Sequence, residues 1–429
     1  MRTLDQPTAV IIGAGHAGSE AAISLRQNGY TGRIVLVGDE QSLPYQRPSL
    51  SKAFLAGSVA AEAILLRPLA IYAKSEIEMR VGTRVTGIDR ASHHITLSDG
   101  TSLRYTRLIL ATGSRPRLLQ APGLPVGKVS ANVHYLRTLA DVERLHPQFI
   151  GGQRLVIIGG GYIGLEVASV ARKAGLEVVV LEASSRVLSR VTAPEVSSFY
   201  EAVHRSAGVD IRVNTQIERF TYDASTECVS GIVTCDGATL LLDLVIIGIG
   251  VLPNSELAEQ AGLEVDNGIQ VNEFAQTSDP DIFAIGDCSS HPSPIYSRRL
   301  RLESVPNALE QARTAAKAIN GMLVPYAPVP WFWSDQYDLK LQMVGLSLGY
   351  DQVVMRGSPA KRSFVVFYLL SGSIIAADCI NRSQEFMFAK KLVAARATPS
   401  PSMLADEMLN LKALLDALPA QLLEPVQPA

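Results

Sequence analysis

One construction occurs twice in this chain. The apolar run AVII at 9–12 leads into GAGHAGSEAA at 13–22, and LVII at 155–158 leads into GGGYIGLEVA at 159–168. Gly13, Gly15 and Gly18, and again Gly159, Gly161 and Gly164, take the G-x-G-x-x-G spacing between a strand pattern and a helix pattern. Such a turn offers backbone N–H donors at a helix start with no side chain in the way, which suits a pyrophosphate. Each unit then returns to a β-rich run, IVLVGD at 34–39 and EVVVLE at 177–182, so both read as βαβ units of parallel sheets. In the second helix Ile163, Val167, Val170 and Ala174 fall at helical spacing, and Gly175 stands where a left-handed stop is expected.

The acid that ends each second strand completes the reading. Asp39 lies 26 residues after Gly13, with Glu40 beside it, and Glu182 lies 23 after Gly159. A carboxylate at that point accepts hydrogen bonds from an adenosine ribose and repels a 2′-phosphate, so Glu182 predicts NAD rather than NADP. Two dinucleotides on one chain, a flavin and a nicotinamide, can be brought face to face for hydride transfer. The run TSDPDIFAIGD at 277–287 ends a buried strand in Gly286-Asp287, a carboxylate placed for a ribityl hydroxyl.

A chain of 429 residues implies two or three domains. The order of elements predicts an α/β protein with two Rossmann-type dinucleotide-binding domains, the first discontinuous, at 1–115 and 252–328, and the second inserted at 116–251. After the proline-rich VPYAPVPWFW the pattern becomes antiparallel, in LQMVGLSL, QVVMRG, SFVVFYLLSG and SIIAADC, followed by a helix over QEFMFAKKLVAAR. This predicts a C-terminal α+β domain at 329–429 whose tail after Thr398 is a helix with a frayed end.

Apolar residues at 47% and charged residues at 19% describe an ordinary globular protein. A net charge of -2 argues against nucleic acid and membrane as partners. No run of 18 apolar residues occurs and the N-terminus passes straight into a strand, so the cytoplasm is expected. Cys228, Cys235, Cys288 and Cys379 form no metal-ligand spacing and are expected to be small buried residues, with no metal bound. Enzymes of this architecture that reduce disulfides or peroxides need a redox thiol after the first βαβ unit. QSLPYQRPSLSKAF at 41–54 holds none, which argues against a thiol-dependent mechanism.

The paired glycine turns, LATGSRPR, GGGYIGLEVA, TSDPDIFAIGDC, ESVPNALEQAR and WFWSDQY, in this order over nearly the whole chain, resemble the flavin-dependent ferredoxin reductases of bacterial oxygenase systems. The resemblance implies a glutathione-reductase-like fold, FAD in the first nucleotide domain and NADH in the inserted one. It also implies single-electron transfer to a 2Fe-2S ferredoxin that supplies a haem monooxygenase. Carried over by motif, the FAD contacts are Gly13, Gly15, Ala17, Gly18, Asp39, Lys52, Val85, Ala111, Thr112, Gly113, Arg137, Gly286, Asp287 and Val305. The NADH contacts are Gly159, Gly161, Tyr162, Ile163, Gly164, Glu166 and Glu182. Among these Lys52 is assigned to negative charge on the reduced flavin, Tyr162 to covering the flavin until nicotinamide displaces it, and Glu166 to the carboxamide.

His16, inside the first cradle, departs from the small residue expected there and is read as pointing to solvent. Trp331 and Trp333 read as packing at a domain junction more readily than as a flavin shield. A flavin-binding signalling protein resembling apoptosis-inducing factor is the alternative, disfavoured by the short third domain. From Tyr296 to Ser400 there are 13 Lys/Arg against 7 Asp/Glu. Arg298, Arg299, Arg301, Arg313, Lys340, Lys361, Arg362, Arg382, Lys390 and Lys391 are therefore candidates to steer an acidic ferredoxin. A monomer is expected.

Overall fold

The computed structural model describes residues 6–124 and 130–419. Strand Thr8–Ile12, helix His16–Gln27 and strand Arg33–Val37 form the first predicted βαβ unit. They belong to a five-stranded parallel sheet in the order 282–284, 107–110, 8–12, 33–37, 77–80. Ala9, Val10 and Ile11 are all fully buried because both faces of the sheet are covered, which is why this strand reads as a continuous apolar run. Helix Val305–Ile319 packs on the first helix through small residues, Ala308, Ala312 and Ala315 against Ala17 and Ala21. That close packing holds the beginning of the late helix beside the first glycine turn.

Strand Arg154–Ile158, helix Tyr162–Lys173 and strand Glu177–Leu181 repeat the unit in a second parallel sheet, ordered 210–212, 177–181, 154–158, 244–247, 133–135. The chain leaves the first unit along Ser114–Pro116 and returns along Val251–Pro253, and these two strands pair antiparallel with Leu252 opposite Arg115. The second unit is thus an insertion whose exit and entry run side by side.

The C-terminal sheet is antiparallel, ordered 331–336, 339–345, 373–380, 363–370, 352–358, with helix Ser383–Ala394 after it. One of its faces shares a core with the inserted unit, where Phe364, Val366 and Tyr368 pack with Val196 and Tyr200. The Ala193 N–H also donates to the Tyr368 hydroxyl at 2.8 Å.

Four expectations need correction. Helix Tyr162–Lys173 buries Leu165, Val167, Ala168 and Ala171, while Ile163 is 44% exposed, because the helix turns its first residues toward a cavity instead of the core. WFWSDQ is the edge strand of the C-terminal sheet, a run whose aromatic content hid its alternation. The tail forms two short helices, Pro401–Ala405 and Leu411–Asp416, capped by Ser400 and Asn410, and its last ten residues lie outside the described ones. Cys288 and Cys379 are buried as expected, but Cys235 is exposed and Cys228 half-buried, in the hairpin 217–241 that lies off the main sheets. No described helix is long and apolar enough to cross a membrane. No described His/Cys/Asp/Glu group is arranged to hold a metal ion.

Candidate active site

The two glycine turns are equivalent in detail. Gly13 at φ +111° and Gly159 at φ +108° lie against the carbonyls of Ala111 and Gly248, where a Cβ would come within 2.1 and 2.3 Å. Only glycine has both that φ and that clearance. Gly18 and Gly164 are closed in the same way, over the carbonyls of Gly13 and Gly159. Gly15 and Gly161, by contrast, face open space, with nothing within 4 Å of where a Cβ would stand. The turn is therefore crowded on the protein side and vacant where a phosphate would approach the helix start.

Around the first turn lies a cavity of about 550 Å³. Gly13, Gly15 and Ala17 line it from the first cradle, Asp39 from the strand end, Lys52 from the loop, and Ala111, Thr112 and Gly113 from the neighbouring strand end. Arg137, Gly286, Asp287 and Val305 close it from the far side. Asp39 is exposed and free to meet a ribose, and Val305 opens a helix whose N-cap, Ser304, also lines the cavity. Asp287 is held by donors from Ser114 Oγ at 2.8 Å and Arg137 at 3.1 Å, both to Oδ2. The same cavity is lined by Tyr162, Ile163 and Glu166 of the second unit and by Phe332 and Trp333 of the third. All three units meet at one space.

Glu166 is the centre of that meeting. It is 3% exposed, yet Lys52 Nζ lies 2.6 Å from Oε2, Ser51 Oγ donates to Oε2 at 2.5 Å and Ser334 Oγ donates to Oε1 at 2.6 Å. A buried carboxylate is tolerated because both of its oxygens accept from nearby donors, Lys52 and Ser51 on one and Ser334 on the other. The Tyr162 ring tilts on Phe332 with centroids 4.9 Å apart, and its hydroxyl points at Met343 Sδ, 2.7 Å away. Burial holds the Tyr162 phenol well above its usual range, so it stays neutral.

Other expected residues lie elsewhere. Gly18 is sealed beneath the first turn, and Val85 is buried in the core on one face of the first sheet, so neither lines the cavity. Gly159, Gly161, Gly164 and Glu182 form the second cradle outside it. There the Glu182 carboxylate spans the turn, accepting from Gly160 N–H and Ser184 N–H, each at 2.7 Å. That arrangement sets the carboxylate beside the glycine turn, as a ribose acceptor requires.

Two residues, His16 and Trp333, behave differently from the expectation. His16 does not point to solvent but lines the cavity, and burial together with Arg47 lowers its pKa to about 4, so it is neutral near pH 7. The two tryptophans divide. Trp333 lines the cavity, while Trp331 stacks on Phe386 with Lys390 above its ring at 5.6 Å. Sequence reasoning also missed the ring of polar groups around Tyr45. Its hydroxyl donates to Glu40 at 2.5 Å, Arg47 pairs with Glu40, and Arg47 reaches the Arg137 carbonyl at 2.7 Å. Only the pairing of Glu40 with Asp39 at a strand end hinted at it.

Residues 7–312 match the pyridine nucleotide-disulphide oxidoreductase family, and residues 331–415 match the reductase C-terminal family. The chain is 50% identical over 413 residues to putidaredoxin reductase CamA of Pseudomonas putida, covering 96% of this chain and 98% of the relative. The chain belongs to the FAD-dependent ferredoxin reductases of that oxidoreductase family. The reductase component of the anthranilate 1,2-dioxygenase system of Burkholderia cepacia is 41% identical over 407 residues, 95% of this chain and 98% of its own. The crystal structure of the covalent putidaredoxin reductase–putidaredoxin complex superposes with a TM-score of 0.93, covering 96% of this chain and 98% of that one. The ferredoxin reductase therefore has the glutathione-reductase-like fold, and the reading as a signalling protein is not favoured. Among the described residues no cysteine lines its cavity.

Proposed function

We propose that this reductase carries electrons from NADH through FAD to a 2Fe-2S ferredoxin serving a haem monooxygenase. The carrying observation is the shared cavity, in which the first cradle and Asp287 stand opposite the helix start that bears Tyr162 and Glu166. The residues fit FAD, since the open face at Gly15 and the exposed Asp39 and bonded Asp287 answer a pyrophosphate, a ribose and a ribityl chain in turn. FAD supplies the hydride acceptor and the two successive one-electron donations.

This chain's own groups bind and orient. The Gly159–Gly164 turn and Glu182 take the adenosine half of NADH, and the carboxylate disfavours NADPH. Glu166, fixed by Lys52 and Ser334, accepts from the carboxamide and turns the nicotinamide ring. Tyr162 covers that end of the cavity and gives way when the ring enters. Lys52 keeps a positive charge beside the cavity, where negative charge accumulates on reduction. Trp333 excludes water at the third-domain side.

The basic C-terminal region steers the ferredoxin. Arg313 is already paired with Glu20, Arg362 with Asp338 and Arg382 with Glu385 and Glu407. Arg301 is paired with Glu303, whereas Lys340, Lys361, Lys390, Lys391, Arg298 and Arg299 are in no ion pair among the described residues, which makes them the available charges. One relative serves a dioxygenase system, so a dioxygenase is the second reading for the final recipient. The protein acts as a monomer in the cytoplasm, with domain limits near 115, 252 and 329. The test is the absorbance of the purified protein before and after anaerobic NADH. Flavin bands that bleach support both sites, and a colourless protein that takes up no flavin refutes them.

A further inference from the structure

Behind Glu166 runs a chain of buried polar side chains that neither cradle requires. Ser334 is fully buried, Gln336 is 1% exposed and His204 is fully buried. Gln336 Nε2 donates to Ser334 Oγ at 3.2 Å, His204 Nε2 stands 2.8 Å from Gln336 Oε1, and the Tyr337 hydroxyl stands 3.2 Å from His204 Nδ1. The chain leads from the cavity to the half-buried Tyr337, where Lys173 lies over the ring at 5.9 Å. It crosses units three times, from helix Tyr162–Lys173 to edge strand Trp331–Gln336, back to helix Pro194–Ser206, and out again to Tyr337 just beyond that strand.

Its polarity follows from the donor inventory. A carboxylate only accepts, so the single Ser334 hydrogen is committed to Glu166 and Ser334 must accept from Gln336. That fixes the amide with its NH₂ toward Ser334 and its oxygen toward His204. His204 must then donate from Nε2, which leaves Nδ1 to accept from Tyr337. Burial lowers the His204 pKa, so the neutral ring that this order needs is the form present near pH 7. Four donors point one way, toward Glu166, and hydrogen bonds aligned head to tail strengthen one another.

We propose that Ser334, Gln336 and His204 are positioning residues for NADH, holding the Glu166 carboxylate in the one orientation that presents it to the nicotinamide. The proposal rests on the assignment of Glu166 to the carboxamide. Without the chain, Glu166 would keep Lys52 and Ser51 on Oε2 but lose the restraint on Oε1, and could swing toward Lys52. A misplaced orienting group slows hydride transfer without weakening flavin binding.

The experiment is stopped-flow reduction of the FAD-loaded enzyme by NADH, followed by reoxidation with ferricyanide. The variants are Ser334→Ala, His204→Leu, His204→Gln and Glu166→Gln, each checked for FAD content and Tm. Ser334→Ala is expected to slow flavin reduction about 10-fold, the loss of one hydrogen bond to a charged group, and His204→Leu to slow it by a smaller factor because it acts through Gln336, with reoxidation unchanged in both. His204→Gln supplies an amide donor near the Nε2 position and is expected to recover most of the rate. Should His204→Leu fail to fold, Ser334→Ala decides alone, because it removes one hydroxyl. Reduction at the wild-type rate in Ser334→Ala, with Glu166→Gln slow, would overturn the proposal. A wild-type rate in Glu166→Gln would instead overturn the assignment of Glu166. Equal slowing of both half-reactions would show a structural role only.

Discussion

Lys52 Nζ lies 2.6 Å from Glu166 Oε2, joining the loop after the first βαβ unit to the first turns of the helix that opens the second. The pair is unequal, since Glu166 is almost wholly buried while the Lys52 side chain keeps 20% exposure. Removing the lysine would leave a buried carboxylate with hydroxyl donors alone. Lys52→Met is therefore expected to lower stability by about 3 kcal/mol and to slow flavin reduction by NADH. Thermal unfolding and anaerobic stopped-flow traces of the same preparation check the two effects together.

The Glu182 carboxylate holds the second turn by accepting from the Gly160 and Ser184 N–H groups, and so does two things at once. Glu182→Arg is expected to raise the NADPH/NADH ratio of kcat/KM, because a cation replaces an anion at the 2′ position, while total activity falls as Gly160 and Ser184 lose their acceptor. Steady-state ferricyanide reduction with each coenzyme reads the ratio. An unaltered ratio would mean that Glu182 does not reach the ribose.

Asp287 links Ser114 and Arg137 across the cavity. Asp287→Ala is expected to weaken FAD retention about 10-fold or more, the worth of one charged hydrogen bond, and to free Arg137. The flavin-to-protein absorbance ratio after dialysis measures it. Full retention would contradict the contact.

His291 is buried and its pKa is lowered to about 4 by burial and by Arg299, with Nδ1 facing the Gln311 amide at 3.1 Å. The folded state refuses a proton that the unfolded chain accepts near 6.5, so this group's contribution to stability is present above that pH and is lost as pH falls toward 4. Asp378 acts oppositely. Burial raises it to about 7, so its effect is lost as pH rises from about 4 to 7. The difference in Tm between wild type and His291→Asn therefore isolates the histidine, and it should favour the variant increasingly below about pH 6.5. A difference independent of pH would refute the assignment.

Ferredoxin reduction is expected to slow steeply as salt rises from low to high, whereas ferricyanide reduction is not, if charge acts on encounter. Lys340→Glu and Lys391→Glu should each lower the ferredoxin rate and its salt slope. The same salt response with both acceptors would remove the steering role.

Local pattern made the two cradles legible. A glycine whose Cβ would strike a carbonyl, a strand apolar on both faces and a carboxylate at the next strand end are each written in neighbouring residues, and they recur at 13–39 and 159–182. The antiparallel third domain was legible for the same reason, through alternation along single strands. The fate of a side chain whose partners come from other units was not. His16 was misread because the residues that enclose it, Arg47 and Arg137, are supplied by later segments. Trp331 and Trp333 lie two apart on one strand, and only the surroundings of that edge strand set one against the cavity and the other against Phe386. Nothing in WFWSDQY or EAVHRS announces that Ser334, Gln336 and His204 form a line ending on Glu166, because hydrogen bonds between separate units depend on how those units are docked. The sequence alone determined where the two glycine turns close against neighbouring carbonyls. Tertiary packing decided what surrounds the reacting end of the cavity, since burial and side-chain bonding are properties of the assembled core and not of any one segment.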